Sequence, residues 1–185
     1  MAIVVVSGAG RGAGKTALVC GVISALRDMQ WVAVKISPHT HNVEGPLREE
    51  IVPGEETDTE RYLTAGASKS FLITASNGKE MRVALHRLWE KTGRDANFIF
   101  ESNRVLQLMK PDVCLVVGRG SEAEEKETDK LIAEHADAIV LHTGDMDPGE
   151  PPGEVENRLS VFQLDRFENL SPRMVGWISG RLSRS

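Results

Sequence analysis

Short apolar, β-branched runs recur along the chain and alternate with stretches whose apolar residues fall at helical spacing. Ile3-Val4-Val5-Val6 predicts a strand buried on both faces. Trp31 to Ile36, Phe71 to Thr74, Asn97 to Phe100, Val113 to Val117 and Ala138 to Leu141 predict further strands, and Leu159 to Leu164 adds one at an edge. Helical patterns run from Ala17 to Leu26, Glu80 to Lys91, Asn103 to Met109 and Ser171 to Leu182, and the acidic stretch Glu122 to Glu127 leads into one running to about His135. Another helix opens at Asp58, with Thr57 as its cap and Glu60 in the reciprocal position. Leu63 and Ala67 are expected to share a face of it, and Gly66 to mark its end. In the Glu80–Lys91 helix, Val83, Leu85, Leu88 and Trp89 are the expected core residues. Strands alternating with helices imply a mostly parallel central sheet covered by helices on both faces, joined by right-handed crossovers.

Two stretches break this rhythm. His39 to Thr57 is polar, contains Gly45, Pro46, Pro53 and Gly54, and is made acidic by Glu49, Glu50, Glu55 and Glu56. It reads as a surface loop, and Ser37 to Asp58 is expected to act as a lid that orders on ligand binding. Asp145 to Gly153, with Pro148, Pro151 and Pro152, reads as a rigid exposed connection too short to separate domains. The whole chain, 1–185, is therefore expected to be one domain.

The strongest chemical signal follows the first strand. Ser7-Gly8-Ala9-Gly10-Arg11-Gly12-Ala13-Gly14-Lys15-Thr16 is a glycine-rich turn between a strand and a helix, the context of a phosphate-binding loop. Glycines let successive N–H groups converge on phosphate oxygens, and the helix start adds free donors and the positive end of its dipole. Gly10, Arg11, Gly12, Ala13, Gly14, Lys15, Thr16 and Ala17 form the candidate phosphate-binding set. Lys15 is expected to reach the β- and γ-phosphates, and the Thr16 hydroxyl to hold Mg²⁺. The full pattern has glycine where Ala9 stands, and Gly8 lies one residue earlier. With this loop, the expected architecture is the three-layer α/β fold of the P-loop NTPases.

Ligands of parallel sheets bind beyond the carboxyl ends of the strands. Lys35, Glu101, Gly118 and His142 lie at such ends, on the rim of the phosphate loop. An apolar strand ending in an acid is what a Walker B element looks like. Glu101 would then hold Mg²⁺ through water or position the attacking nucleophile, the alternative being a solvated glutamate. Asp58 is either the acidic partner of a helix cap or a second magnesium carboxylate or base. Lys35 is read as a phosphate counter-charge or as an exposed lysine, and His39 and His41 as contacts to substrate or phosphate. Asp145 is read as an acceptor for a guanine edge or as a turn residue before Pro148. The candidate catalytic set is Lys15, Glu101 and Asp58, and the metal set Thr16 and Glu101.

Composition narrows the partners. The 185 residues are 41% hydrophobic and 26% charged, ordinary for a soluble globular protein, and the net charge of −5 argues against a general nucleic-acid binder. Cys20 and Cys114 sit in apolar stretches and read as buried, reduced thiols. No apolar run is long enough to span a membrane, and the N-terminal run feeds the phosphate loop rather than forming a signal peptide. A cytoplasmic location is expected.

Taken in order, the phosphate loop, Val34-Lys35 followed by His39-Thr40-His41, the Asp58 helix with Ala65-Gly66-Ala67, and Phe98-Ile99-Phe100-Glu101 resemble the MobB family. Those are P-loop proteins of molybdopterin–guanine dinucleotide biosynthesis, in the SIMIBI class. The motifs cover roughly the first 105 residues, and the rest agrees in element order only. The resemblance implies GTP binding with Mg²⁺, with Lys15, Thr16, His39, His41, Asp58 and Glu101 at the site. Where the family has Gly-Phe-Lys after the acid, this chain has Ser102-Asn103-Arg104, and Ile36-Ser37-Pro38 separates Lys35 from His39. The expected function is Mg²⁺-dependent binding and hydrolysis of GTP or ATP, as an adaptor serving a partner enzyme. The alternative is a kinase transferring the γ-phosphoryl group to a small molecule. A homodimer is left open.

Overall fold

The computed structural model describes residues 1–8, 12–38, 45–118, 134–143 and 159–184. Val4 and Val6 of β1 (Ile3–Gly8) face one side of the sheet and Val5 the other, and all three are fully buried. The unbroken β-branched run follows from this, because neither face of a central parallel strand meets water. The other strands are β2 (Val32–Ser37), β3 (Leu47–Glu50), β4 (Lys69–Thr74), β5 (Phe98–Glu101), β6 (Val113–Gly118), β7 (Ala138–His142) and β8 (Ser160–Leu164). They form one eight-stranded sheet in the order β3-β4-β2-β5-β1-β6-β7-β8. All neighbours are parallel except β3, which runs antiparallel to β4.

Helices cover both faces, as the alternating pattern predicts. On one face α1 (Lys15–Ala25), α2 (Asp58–Ala65) and α4 (Pro172–Leu182) pack over Val4, Val6, Ala33 and Ile99. On the other, α3 (Gly78–Thr92) and a 3₁₀ turn at Arg104–Gln107 cover Val5, Val34, Phe71 and Phe100. The α1 residues Leu18 to Ile23 are buried without interruption, because α1 lies between the sheet and α2. The start of α2 carries the predicted capping box. Thr57 Oγ1 accepts from the Glu60 N–H at 3.2 Å, and the Glu60 carboxylate accepts from the Thr57 N–H at 3.4 Å. Gly66, with φ at 108°, closes the helix.

Several expectations are corrected. The surface-loop reading of His39–Thr57 fails at Leu47–Glu50, which pairs with Ser70–Ile73 of β4 as an antiparallel edge strand. The Ser37–Asp58 segment is thus anchored to the sheet along part of its length rather than being a lid throughout. Val83 is exposed, because the buried stripe of α3 is Met81, Ala84, Leu85 and Leu88, and Val83 falls off that period. On α2 the buried residues are Thr59, Tyr62 and Ala65 instead of Leu63. The Asn103–Met109 helix is only the 3₁₀ turn, started by Ser102, whose hydroxyl accepts from the Arg104 and Val105 N–H groups. Most of the expected helix that follows Glu122–Glu127 and runs to about His135, and all of the Asp145–Gly153 connection, lie outside the described residues. Among the described residues no helix is long and apolar enough to cross a membrane.

Both thiols are buried and unbridged. Burial pushes Cys20 up to about 11 and Cys114 up to about 12. At mildly alkaline pH both should resist an aromatic disulfide reagent in the native protein and react promptly in denaturant. Native labelling within about tenfold of the denatured rate would contradict their place in the core.

Candidate functional site

Strand register brings the site together. Val6 of β1, Glu101 of β5 and Lys35 of β2 are direct neighbours across three parallel strands. Residues at matching register project to one face, here the face covered by α1 and α2. Glu101 is 6% exposed and Lys35 is half-buried beside it, its Nζ donating to Glu101 Oε1 at 2.8 Å. Lys35 also donates to the carboxylate of Asp58, at the start of α2. From α1, Thr16 Oγ1 donates to Glu101 Oε2 at 2.8 Å, and from α2 the Tyr62 hydroxyl donates to the same oxygen at 2.5 Å. Burial pulls the Lys35 ammonium down, but the Glu101 charge and the bonds to Asp58 and Glu101 outweigh it and hold its pKa above 10.5.

The turn before α1 is shaped by close packing. Gly14 caps α1 in the left-handed region, with φ at 94°, and a Cβ there would lie 2.2 Å from the Phe167 ring. Both conformation and space require glycine. Gly8 is fixed at the strand end, where a Cβ would meet the Val117 carbonyl oxygen at 2.4 Å. The Asn103 side chain donates to the Gly8 carbonyl and accepts from its N–H, at 3.1 and 3.0 Å. Lys15 reaches back over the turn to the Gly8 carbonyl at 3.3 Å.

The start of α1 differs electrically from those of α2 and α3. Asp58 and Glu60 stand in the first turn of α2 and Glu80 in that of α3, whereas α1 has no acid there and begins with Lys15. The positive end of its dipole is therefore not offset by an acid of its own helix and can attract an anion. Beside it, Thr16 and Glu101 offer only oxygen donors, which suits Mg²⁺. Among the described residues no group of three or more His, Cys, Asp or Glu side chains is arranged to hold a metal. A cation at Thr16 would draw its remaining ligands from phosphate and water, as Mg²⁺ does.

Of the residues singled out in the sequence, Lys15, Thr16, Lys35, Asp58 and Glu101 converge here, with Gly12, Ala13, Gly14 and Ala17 in the adjoining turn and helix start. Gly10, Arg11, His39, His41 and Asp145 lie outside the described residues. The sequence reading missed Tyr62, Asn103 and Phe167. Tyr62 stands one helical turn after Asp58, and that spacing was the available signal. Nothing local marks the other two.

No protein-family model matches the chain, and no curated protein matches its sequence. Solved structures do resemble it. LpxK from Aquifex aeolicus, solved with ATP, superposes with a TM-score of 0.58 at 17% identity, covering 88% of this chain. This chain spans only 53% of that one. HypB from Helicobacter pylori, solved with nickel, gives a TM-score of 0.58 at 14% identity over 100% of this chain and 86% of its own. A MobB homologue from Bacillus stearothermophilus aligns along 100% of both chains at 15% identity, with a TM-score of 0.49, too loose a superposition to carry its role across. The likeness to LpxK and HypB shows the fold alone, the mostly parallel α/β fold of the P-loop NTPases.

The ion pairs make a prediction of their own. Lys35→Met should cost about 2–3 kcal/mol in urea denaturation, less than the ~3–5 kcal/mol of a fully buried pair because the Lys35 side chain keeps 25% of its surface exposed. Adding Glu101→Gln should restore much of the loss. Since the folded pKa of Lys35 is raised, the difference from wild type is fully present below 10.5 and closes as pH rises through the folded value. A difference that instead widened in alkali would contradict the pairing.

Proposed function

We propose that the chain is a single nucleotide-binding domain that binds GTP or ATP with Mg²⁺ and slowly hydrolyses the terminal phosphate. The observation that carries this reading is the 2.8 Å contact between Thr16 Oγ1 and Glu101 Oε2. It sets a hydroxyl of the first helical turn against a strand-end acid, beside a helix start that has no acid of its own. The N–H groups there and the Lys15 ammonium would hold the phosphates. Thr16 and Glu101 would hold Mg²⁺, which when bound neutralises phosphate charge and polarises the phosphoryl group. Lys35 adds positive charge at the rim, fixed by Glu101 and Asp58.

Asp58 serves this reading as the partner that holds Lys35. Its carboxylate is committed to that ammonium, which argues against a base poised for the hydroxyl of an acceptor molecule. We therefore favour slow hydrolysis over phosphoryl transfer to a small molecule. The motif order shared with the MobB family supports an adaptor whose nucleotide state is sensed by a partner enzyme.

Thermal melting against ATP, GTP and their diphosphates, with and without Mg²⁺, tests the binding. A triphosphate at a hundred times its dissociation constant should stabilise wild type by about 2.7 kcal/mol. Lys15→Ala should lose that response while melting unchanged on its own. A wild type indifferent to every nucleotide would end this reading. Glu101→Gln should keep the melting response but lower phosphate release by about a hundredfold. An unchanged rate would remove Glu101 from the chemistry.

A further inference from the structure

The carboxylate of Glu101 has two oxygens with different surroundings. Oε2 accepts two O–H groups, from Thr16 at 2.8 Å and from Tyr62 at 2.5 Å. A carboxylate oxygen offers two lone pairs, so these donors saturate it. Oε1 accepts from Lys35 at 2.8 Å and keeps one lone pair. Tyr62 is fully buried on α2, whereas the Lys35–Asp58 pair beside Oε1 is partly open to solvent. Burial pushes the Tyr62 phenol well above its ordinary value, and the neighbouring Glu101 charge pushes it further, so the hydroxyl keeps its proton and donates.

We propose that Tyr62 is a positioning residue for Glu101: with Thr16 it fixes Oε2, leaving Oε1 as the oxygen that receives a hydrogen bond from the attacking water or the hydration shell of the cation. This rests on the nucleotide-hydrolase reading above. A carboxylate held by Lys35 and Thr16 alone could rotate about its last bond and exchange its two oxygens. The phenol, rigid and enclosed, prevents that exchange. A tyrosine present only for packing would lose little when its ring is kept and its hydroxyl removed.

The chain contains a single tyrosine, so 3-fluorotyrosine supplied during expression labels Tyr62 alone. One fluorine resonance is expected, and Glu101→Gln should move it, because the charge that the phenol faces is gone. A resonance indifferent to that substitution would overturn the contact, whatever the nucleotide does. Tyr62→Phe should bind triphosphate with KM within about twofold of wild type, while kcat and the Mn²⁺ affinity measured by electron paramagnetic resonance fall about tenfold or more. The fluorotyrosine protein keeps the hydroxyl and should turn over nearly as wild type does. Unchanged kcat and Mn²⁺ affinity in a folded Tyr62→Phe, with wild type binding its triphosphate, would overturn the role of Tyr62 alone. A wild type that binds no triphosphate would overturn the hydrolase reading and this role with it. Should Tyr62→Phe not fold, the fluorine response to Glu101→Gln and to Mg²⁺ with a non-hydrolysable triphosphate decides, and silence to either refutes the proposal.

Discussion

One buried negative charge sets the geometry of the rim. Glu101 is 6% exposed, and taking a carboxylate out of water costs several kcal/mol unless donors replace the solvent. Three donors do so, and each belongs to a different element: Thr16 to α1, Lys35 to β2 and Tyr62 to α2. The charge therefore ties two helices to neighbouring strands at one point. Such an arrangement adds little net stability compared with an apolar core, but removing a donor leaves the buried carboxylate less well satisfied, and removing the carboxylate takes the acceptor from Thr16 and Tyr62. Its effect is to select one relative placement of α1, α2 and the sheet.

The two described ends of the glycine-rich stretch, Gly8 and Gly14, are held by packing. Phe167 lies against the Cα of Gly14 and makes an edge-on contact with the His142 ring at 5.8 Å between centroids. Gly8 is clamped between the Val117 carbonyl and the Asn103 side chain. The two glycines thus answer different constraints, although in sequence both belong to one glycine-rich stretch. Gly8, one residue early for the usual pattern, is explained by strand packing.

Strands and helix caps were legible in the sequence because their causes are local. Buried parallel strands need uninterrupted apolar runs, and the box at Thr57 and Glu60 needs only four consecutive residues. Glu101 was legible for the same reason, as an acid ending such a run. Leu47–Glu50 was not, since an edge strand with three charged residues owes its pairing to β4 and has no apolar signature. Asn103 and Phe167 were illegible for a related reason, and Tyr62 was marked only by its spacing from Asp58. Each acts on a residue at least 39 positions away, at Gly8, Gly14 and Glu101, and only the folded register brings them there. Val83 was misread because its apolar character was weighed without its phase on the helix.

The balance of charge at the rim bears on what it can accept. Lys15 and Lys35 are offset by Asp58 and Glu101, so the side chains there come close to neutrality. The chain as a whole carries −5, which does nothing to attract an anion from afar. Attraction for a phosphate must then be local, from the N–H groups and dipole of α1, with no acid in its first turn to cancel them. Those partial charges act over only a few ångströms and cannot by themselves balance a triphosphate. A divalent cation held near Thr16 and Glu101, as proposed, would supply the remainder, and it would also give the Glu101 charge a second partner of opposite sign. The proposed requirement for Mg²⁺ therefore follows from the same buried carboxylate that organises the fold around it.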